Sequence, residues 1–206
     1  GRPEDLDELL SDLAPWFTVS RVYRRRRAHV VEPACGRLEF GATESFLRIR
    51  SSALASLLCA LGCPVGRRAD KDFGLPPYLL EAPAWQVRLF LSALFCAELS
   101  KPRSVKGHGI CLDEPALTLV KRAPFAASGR RFVDEVAGLC TRFGVAVRGV
   151  EERREAPRGR TPSVMLRLVF SSRSDSLRAL YERIGFAYRR ERAALAAAES
   201  LYLRHR

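Results

Sequence analysis

Hydrophobic residues recur along the chain at two spacings, and each spacing predicts one kind of secondary structure. Leu6, Leu9, Leu10 and Leu13 recur every three or four positions, which places them on one face of a helix. The segment FLRIR at 46–50 instead alternates hydrophobic and basic residues, which is the pattern of a half-buried strand. Both patterns therefore occur within the first quarter of the chain.

These spacings predict an α+β chain. Helices are predicted at 4–14, 51–62, 84–99, 130–142, 175–184 and 189–204, and strands at 19–31, 36–50, 110–120, 145–152 and 163–170. Serines precede the helix at 51–62 and Gly62 ends it, as start and stop signals require. Three prolines punctuate residues 66–83, which we interpret as a connector.

Two parts of the chain resemble each other. Leu13 and Val19 match Leu139 and Val145 at a constant offset of 126 positions. The segments LRIRSS at 47–52 and LRLVFSS at 166–172 each lead into a predicted helix. The order helix, strand, strand, helix therefore occurs twice, which is the signature of an internal repeat.

The two copies differ at their starts, because residues 84–129 have no counterpart ahead of Gly1. We therefore expect a tandem repeat whose first copy is truncated at its start or completed by another chain. The predicted boundaries are 1–66 for the partial first repeat, 67–83 for a linker and 84–206 for the second repeat.

The balance of charge favours a polyanionic partner. The 206 residues include 35 Lys and Arg against 23 Asp and Glu, which gives a net charge of +12. Most of the basic residues are arginines, whose guanidinium groups pair with phosphates and stack on bases. Nucleic acid is the expected ligand, and the alternative is a generally basic surface without a dedicated ligand.

Membrane insertion and secretion are not expected. No hydrophobic run reaches the roughly 18 residues that span a bilayer, and residues 1–15 are acidic rather than a signal peptide. The six cysteines form no Cys-x-x-Cys pair, so we expect reduced thiols rather than disulfides or a zinc site. A cytoplasmic, intracellular protein is predicted, and its charge is compatible with association with the nucleoid.

The helix predicted at 84–99 carries the most specific pattern. Its segment FLSALFCAELS at 90–100 has small residues at Ser92, Ala93 and Ala97 and a lone acid at Glu98. Small residues at this spacing are typical of close helix packing. The alternative is an ordinary core helix with a solvated terminal glutamate.

This helix resembles the motif of the LAGLIDADG homing-endonuclease family. Ala93 stands where that family has glycine, and Glu98 stands where it has a metal-binding acid, whereas Cys96 and Leu99 depart from the motif. The preceding segment ALGCPVGRRADKDFGLPPYLLEAPAW and the residues after Ile184 are also similar to the family. The resemblance covers most of the chain, but a first copy of the motif is not visible.

The resemblance implies tandem αββαββα repeats with curved antiparallel sheets, and a site-specific endonuclease that cuts double-stranded DNA. It implies that the helix at 84–99 packs against its equivalent in a second polypeptide or a second copy through Ser92, Ala93, Phe95 and Ala97. Glu98 and the partner's acid would hold Mg²⁺ for phosphodiester hydrolysis. Lys121 would approach the scissile phosphate, and the alternative for Lys121 is a surface lysine.

Arginines supply the candidate nucleic-acid contacts. Arg21, Arg25 and Arg27 share one face of the predicted strand at 19–31. The full set comprises Arg21, Arg24, Arg25, Arg26, Arg27, Arg48, Arg50, Arg153, Arg154, Arg158, Arg160 and Arg167. The alternative for these residues is a solvated strand face.

Three functions remain open from the sequence. The first is the metal-dependent DNA endonuclease just described. The second is a catalytically inactive protein of the same fold that binds DNA or RNA as a regulator, splicing factor or assembly factor. The third is a scaffold without nucleic acid, against which the charge argues.

Overall fold

The computed structural model describes residues 2–31, 36, 38–105, 108–155 and 162–206. Its helices are α1 (Pro3–Leu13), α2 (Ser52–Ala60), α3 (Tyr78–Glu81), α4 (Ala84–Glu98), α5 (Ala126–Thr141), α6 (Ser174–Arg178) and α7 (Arg190–Arg204). Its strands are β1 (Tyr23–Val31), β2 (Leu38–Phe46), β3 (Ser104–Val105), β4 (His108–Leu112), β5 (Ala116–Arg122), β6 (Val147–Glu155) and β7 (Ser163–Phe170). The chain is therefore α+β.

The described residues divide into two compact units, 1–55 and 56–206. The order helix, strand, strand, helix occurs as α1-β1-β2-α2 and again as α5-β6-β7-α6. This order agrees with the internal repeat of the sequence, whereas the predicted tandem endonuclease fold stays a prediction.

The unit at 56–206 contains an antiparallel sheet in the order β5-β7-β6. Its central strand, β7, buries Val164, Leu166 and Leu168 on one face and exposes Arg167 on the other. Helices α4 and α5 contact this sheet on its buried face and complete the hydrophobic core. The alternating side chains of β7 thus separate a packed face from a solvent face.

Gly129 sets the close approach of α5 to the sheet. A Cβ atom at this position would lie 2.6 Å from Cγ of Lys121 and 2.8 Å from Cδ1 of Leu166. Because atoms that are not bonded cannot approach so closely, any side chain here would push the helix away from the sheet.

The unit at 1–55 is built differently. Strands β1 and β2 form an antiparallel two-stranded ribbon from Tyr23↔Phe46 to Val31↔Leu38. The buried residues found here are Asp5 and Ser45, whereas the buried hydrophobic residues of the described chain all lie between Leu75 and Ala196. The ribbon therefore relies on its backbone ladder and on surface contacts rather than on a core.

Several predicted boundaries differ from the structure, including that of the strand predicted at 36–50, which ends at Phe46. The predicted strand at 110–120 is broken into β4 and β5, because Asp113 folds back to accept the backbone N–H of Glu114 and Pro115 follows. The predicted linker at 67–83 belongs to the second unit, since Leu75 and Leu79 are buried in its core. The carboxylate of Glu135 accepts the Leu75 backbone N–H at 2.9 Å and fixes that segment.

Among the described residues, none of the helices combines the length and the apolar character needed to cross a membrane.

Candidate nucleic-acid interface

Four consecutive arginines, Arg24 to Arg27, lie in β1 and alternate between the two faces of the ribbon. Arg25 and Arg27 lie on the face that also carries Glu44, whose carboxylate oxygens are 3.4 Å and 3.7 Å from their guanidinium nitrogens. This one carboxylate partly neutralises both cations. The first face of the ribbon is therefore less basic than its arginine content indicates.

The opposite face of the ribbon carries Arg24 and Arg26, which pair across the ladder with Ser45 and Thr43. Within the described ranges, neither guanidinium has a carboxylate partner. The Arg26 guanidinium lies over Gly41, where a Cβ atom would be 3.2 Å from its Nε. The absence of a side chain at Gly41 lets Arg26 lie across the neighbouring strand, on a face that also carries Glu39 opposite Val30.

The other predicted arginines of this unit lie outside the ribbon strands. Arg21 precedes β1, so it does not belong to the strand face predicted for it with Arg25 and Arg27. Arg48 and Arg50 follow β2 and flank Ile49, which forms an isolated bridge with Val19. All three arginines are exposed and extend the basic surface of the unit.

The second unit presents a smaller basic surface on the solvent face of its sheet. Register places Arg167 opposite Glu151, and their charged groups are 3.2 Å apart. Arg153 lies on the same face, whereas its neighbour Arg154 pairs with buried Val164 and so lies on the other face. Arg158 and Arg160 lie outside the described residues. The predicted arginines therefore divide between two faces of this sheet.

Glu98, predicted as the metal-binding acid, ends α4 beside the turn at Arg68–Asp70. Its Oε1 is 2.7 Å from a guanidinium nitrogen of Arg68. The described residues include no group of three or more His, Cys, Asp or Glu side chains able to hold a metal ion. Glu98 was predicted to hold Mg²⁺ together with an acid from another chain or copy, and that shared metal site stays a prediction.

Lys121 was predicted at a phosphate, and this prediction is wrong because its side chain is fully buried. Its ammonium donates to the backbone carbonyls of Arg68, at 2.8 Å, and Lys71, and lies 4.1 Å from the ring centre of Phe73. Burial lowers the pKa of Lys121, partly offset by the nearby Asp72. The lysine therefore holds the turn that presents Arg68 to Glu98.

The four predicted interface residues of α4 divide into two groups. Phe95 and Ser92 are buried within their own unit, and Phe95 packs edge-on against Phe170 with ring centres 5.9 Å apart. They are therefore core residues rather than partner contacts. Ala93 and Ala97 are exposed, so their predicted contact with another chain or copy stays a prediction.

A cavity of about 640 Å³ lies beside α7 and was not predicted from the sequence. Ala193, Ala196, Ala197 and Ser200 line it. These residues are three or four positions apart, which places them on one face of the helix. This spacing could have predicted from the sequence a helix face lined by small residues. Another missed residue is Arg192, whose guanidinium donates to the carbonyls of Phe95 and Leu99 at the end of α4.

Curated proteins of two different names share a segment with this chain. The tRNA-splicing ligase RtcB of Methanopyrus kandleri is 32% identical over 145 residues, which are 70% of this chain and 14% of the relative. The tRNA-splicing ligase RtcB of Pyrococcus abyssi is 30% identical over 204 residues, which are 99% of this chain and 21% of the relative. The DNA-directed RNA polymerase subunit Rpo1N of Methanocaldococcus jannaschii is 28% identical over 156 residues, which are 75% of this chain and 11% of the relative.

The chain thus spans about a fifth or less of the length of these relatives. No protein-family model and no solved structure matches it. The same segment is similar to a part of a ligase and to a part of a polymerase subunit. The similarity is therefore to a segment that these proteins share, and it does not extend to the whole of either enzyme.

These relatives correct the predicted resemblance. The proteins found to be similar are named for tRNA splicing and for RNA polymerase, and none of the three is named as an endonuclease. The prediction of a LAGLIDADG homing endonuclease that cuts double-stranded DNA is therefore wrong, and so are the associated predictions of DNA binding and nuclease activity. The alternative of a nucleic-acid-binding factor related to RNA agrees better with these names.

Proposed function

We propose that this chain is an RNA-binding module, and that the β1–β2 ribbon is its principal contact surface. The observation that carries the proposal is the row of four arginines in a ribbon whose described side chains include no buried hydrophobic residue. Such a row raises electrostatic repulsion and adds nothing to a core, so folding does not account for it. Binding to a polyanion does account for the row of arginines.

RNA is favoured over other polyanions by two considerations. Guanidinium groups pair with phosphates and also stack on unpaired bases, which structured RNA displays in its loops. The relatives that share this segment are named for tRNA splicing and for RNA polymerase, and RNA is the polymer common to those names. Ligation is not proposed, because the polymerase subunit shares the segment.

The two faces of the ribbon should contribute unequally to binding. Arg25 and Arg27 are ion-paired with Glu44, whereas no ion pair is found for Arg24 or Arg26 among the described residues. Each phosphate contact releases condensed counterions from the nucleic acid, so affinity falls as salt rises, with a slope set by the number of contacts. The face with Arg24 and Arg26 should therefore account for more of that slope.

Fluorescence anisotropy with a labelled RNA stem-loop, repeated over a series of salt concentrations, tests the proposal. Replacing Arg24 and Arg26 together by Gln should reduce the salt slope by about 2 and weaken binding more than tenfold. The double change of Arg25 and Arg27 to Gln alters the net charge equally and should have a smaller effect. Arg130→Gln on α5, where Arg130 pairs with Asp134 at 3.1 Å, is a control away from the ribbon.

Three outcomes would contradict the proposal. The first is wild-type binding that does not depend on salt, and the second is an equal loss in both ribbon variants and in the Arg130 control. The third is tighter binding of a DNA stem-loop of the same sequence, which would overturn the preference for RNA.

A further inference from the structure

A cavity of about 640 Å³ in the second unit has a size and a lining suited to a planar organic ring. Its volume lies within the range of about 300–1,000 Å³ that small-molecule sites occupy. Small residues from α7 and from the preceding loop, including Ala187, Ala193 and Ala196, keep it open. Tyr181 and Phe186, whose rings are stacked at 6.3 Å, supply an aromatic wall.

One polar group in this cavity lacks a partner. The hydroxyl of Ser200 is buried, its residue is 5% exposed, and in the described part of the chain its oxygen has no hydrogen-bond partner. The Ser92 hydroxyl, in contrast, donates to the Leu89 carbonyl at 3.1 Å. Because a buried hydroxyl without a hydrogen bond costs free energy, the position of Ser200 is explained by a ligand that supplies the missing partner.

The mouth of the cavity is basic. Its exposed lining residues include Arg88, Arg204 and Glu182. The Glu182 carboxylate is shared by Arg204 and Arg178, at 3.1 Å and 3.2 Å, so it is already compensated. The Nε of Arg88 donates to the Arg183 carbonyl, which fixes the side chain and leaves the positive charge uncompensated within the described residues. An anionic group outside the cavity would therefore be attracted.

A planar ring, a hydrogen-bonding edge and an adjacent anion describe a nucleotide. We propose that the cavity holds the base of one unpaired nucleotide, with Ser200 bonding its edge and Arg88 near its phosphate. The proposal rests on the proposed function, because an unpaired base of a bound RNA is one source of this ligand and a free nucleotide is the other. Unstacked bases held between side chains are a general mode of RNA recognition.

Calorimetric titration of the full chain with each of the four nucleoside 5′-monophosphates, and with ribose 5-phosphate, tests the cavity. At least one mononucleotide should bind, and ribose 5-phosphate, which lacks the ring, should not. Ser200→Ala should weaken that binding about 2- to 12-fold, the effect of one neutral hydrogen bond. The same change should leave the melting temperature of the free protein unchanged or raised, since it removes an unpaired hydroxyl.

Ala197→Leu provides a second variant that does not depend on the core, because Ala197 lines the cavity and is exposed. It should abolish mononucleotide binding and weaken RNA binding, and the salt slope should fall by at most about 1, since only the phosphate contact near Arg88 is lost. Equal binding of ribose 5-phosphate and mononucleotides, or unchanged mononucleotide binding in both variants, would overturn the proposal. Mononucleotide binding without RNA binding would support the cavity as a nucleotide site and overturn the proposed function.

Discussion

The two units of this chain share an order of secondary-structure elements but are stabilised by different interactions. In the second unit, α5, β6 and β7 are joined by β5 and α4, and together they enclose a core that includes Phe95, Val133 and Leu166. In the first unit, α1, β1 and β2 have no described equivalent of β5 or α4, and none of the hydrophobic side chains described there is buried. One additional strand and one additional helix therefore distinguish a packed sheet from a solvated ribbon.

The difference agrees with general limits on sheet stability. A two-stranded ribbon is marginal in water, whereas three strands covered by a helix can fold stably. The first unit, in which the described residues form no hydrophobic core, also carries the row of four arginines. Charge repulsion among these arginines is more easily tolerated where both faces are solvated, because salt screens exposed charges.

The largest expected effect is a difference in amide hydrogen exchange. Amides at the centre of β7, such as those of Leu166 and Leu168, should exchange only on global unfolding, because both neighbouring strands and the core must open. Amides of β1, such as that of Arg26, should exchange faster by a factor on the order of 1,000. Exchange measured by mass spectrometry on peptides from each strand checks this, and equal protection would show that the ribbon opens only with the core.

A matched pair of phenylalanine substitutions should give the next largest effect. Phe95→Ala removes a fully buried ring from the core and should lower the free energy of unfolding by about 3–5 kcal/mol. Phe46→Ala removes a half-buried ring stacked on Tyr23 at 5.5 Å and should cost about 0.5–1.5 kcal/mol. Urea denaturation of both variants provides the comparison. A cost at Phe46 as large as that at Phe95 would show that the first unit has a core after all.

Two glycines in α5 sharpen the account of packing in the second unit. Gly129→Ala places a methyl group against Lys121 and Leu166 and should destabilise the protein by about 1–3 kcal/mol. Gly138→Ala meets no atom within 4 Å on the exposed side of the same helix and should stabilise it by about 0.5–1 kcal/mol. Thermal unfolding of the two variants should therefore shift in opposite directions. An upward shift in both variants would show that helix propensity, rather than close packing, dominates at both positions.

These elements also show which parts of the structure could be predicted from sequence. The helical spacing at 84–99 and the alternation at 163–170 predicted α4 and β7, because burial of one face imposes those periods. The same periodicity does not reveal which neighbour covers a face. Phe95 and Ser92 were therefore assigned to a partner although they pack in their own unit.

The burial of Lys121 could have been predicted from the alternation of residues in its strand. It follows Leu117 and Leu119 at alternate positions, and in a strand this spacing places all three on the same, buried face. What sequence could not predict was the partner, since the accepting carbonyls belong to Arg68 and Lys71, some fifty residues earlier. Burial of a lysine is tolerated only when such acceptors surround its ammonium.

The smallest expected effect is the pH dependence that Lys121 adds to the second unit. Burial lowers its pKa in the folded state, while in the unfolded chain a lysine titrates near about 10.4. Below the folded pKa both states are charged, and the folded state bears the full cost of burying the ammonium. Between the two pKa values the unfolded state binds more protons, so stability rises with pH. The Lys121→Met variant lacks this contribution. The free energy of unfolding of the wild type relative to this variant should therefore increase between about pH 7 and about pH 10.

Urea denaturation at both pH values measures this difference. Lys101→Met, which removes a lysine from an exposed ion pair with Glu191, serves as the control. A constant or decreasing difference would mean that Lys121 is not buried as a cation in the folded protein, and that the turn at Arg68–Asp70 is held by other contacts.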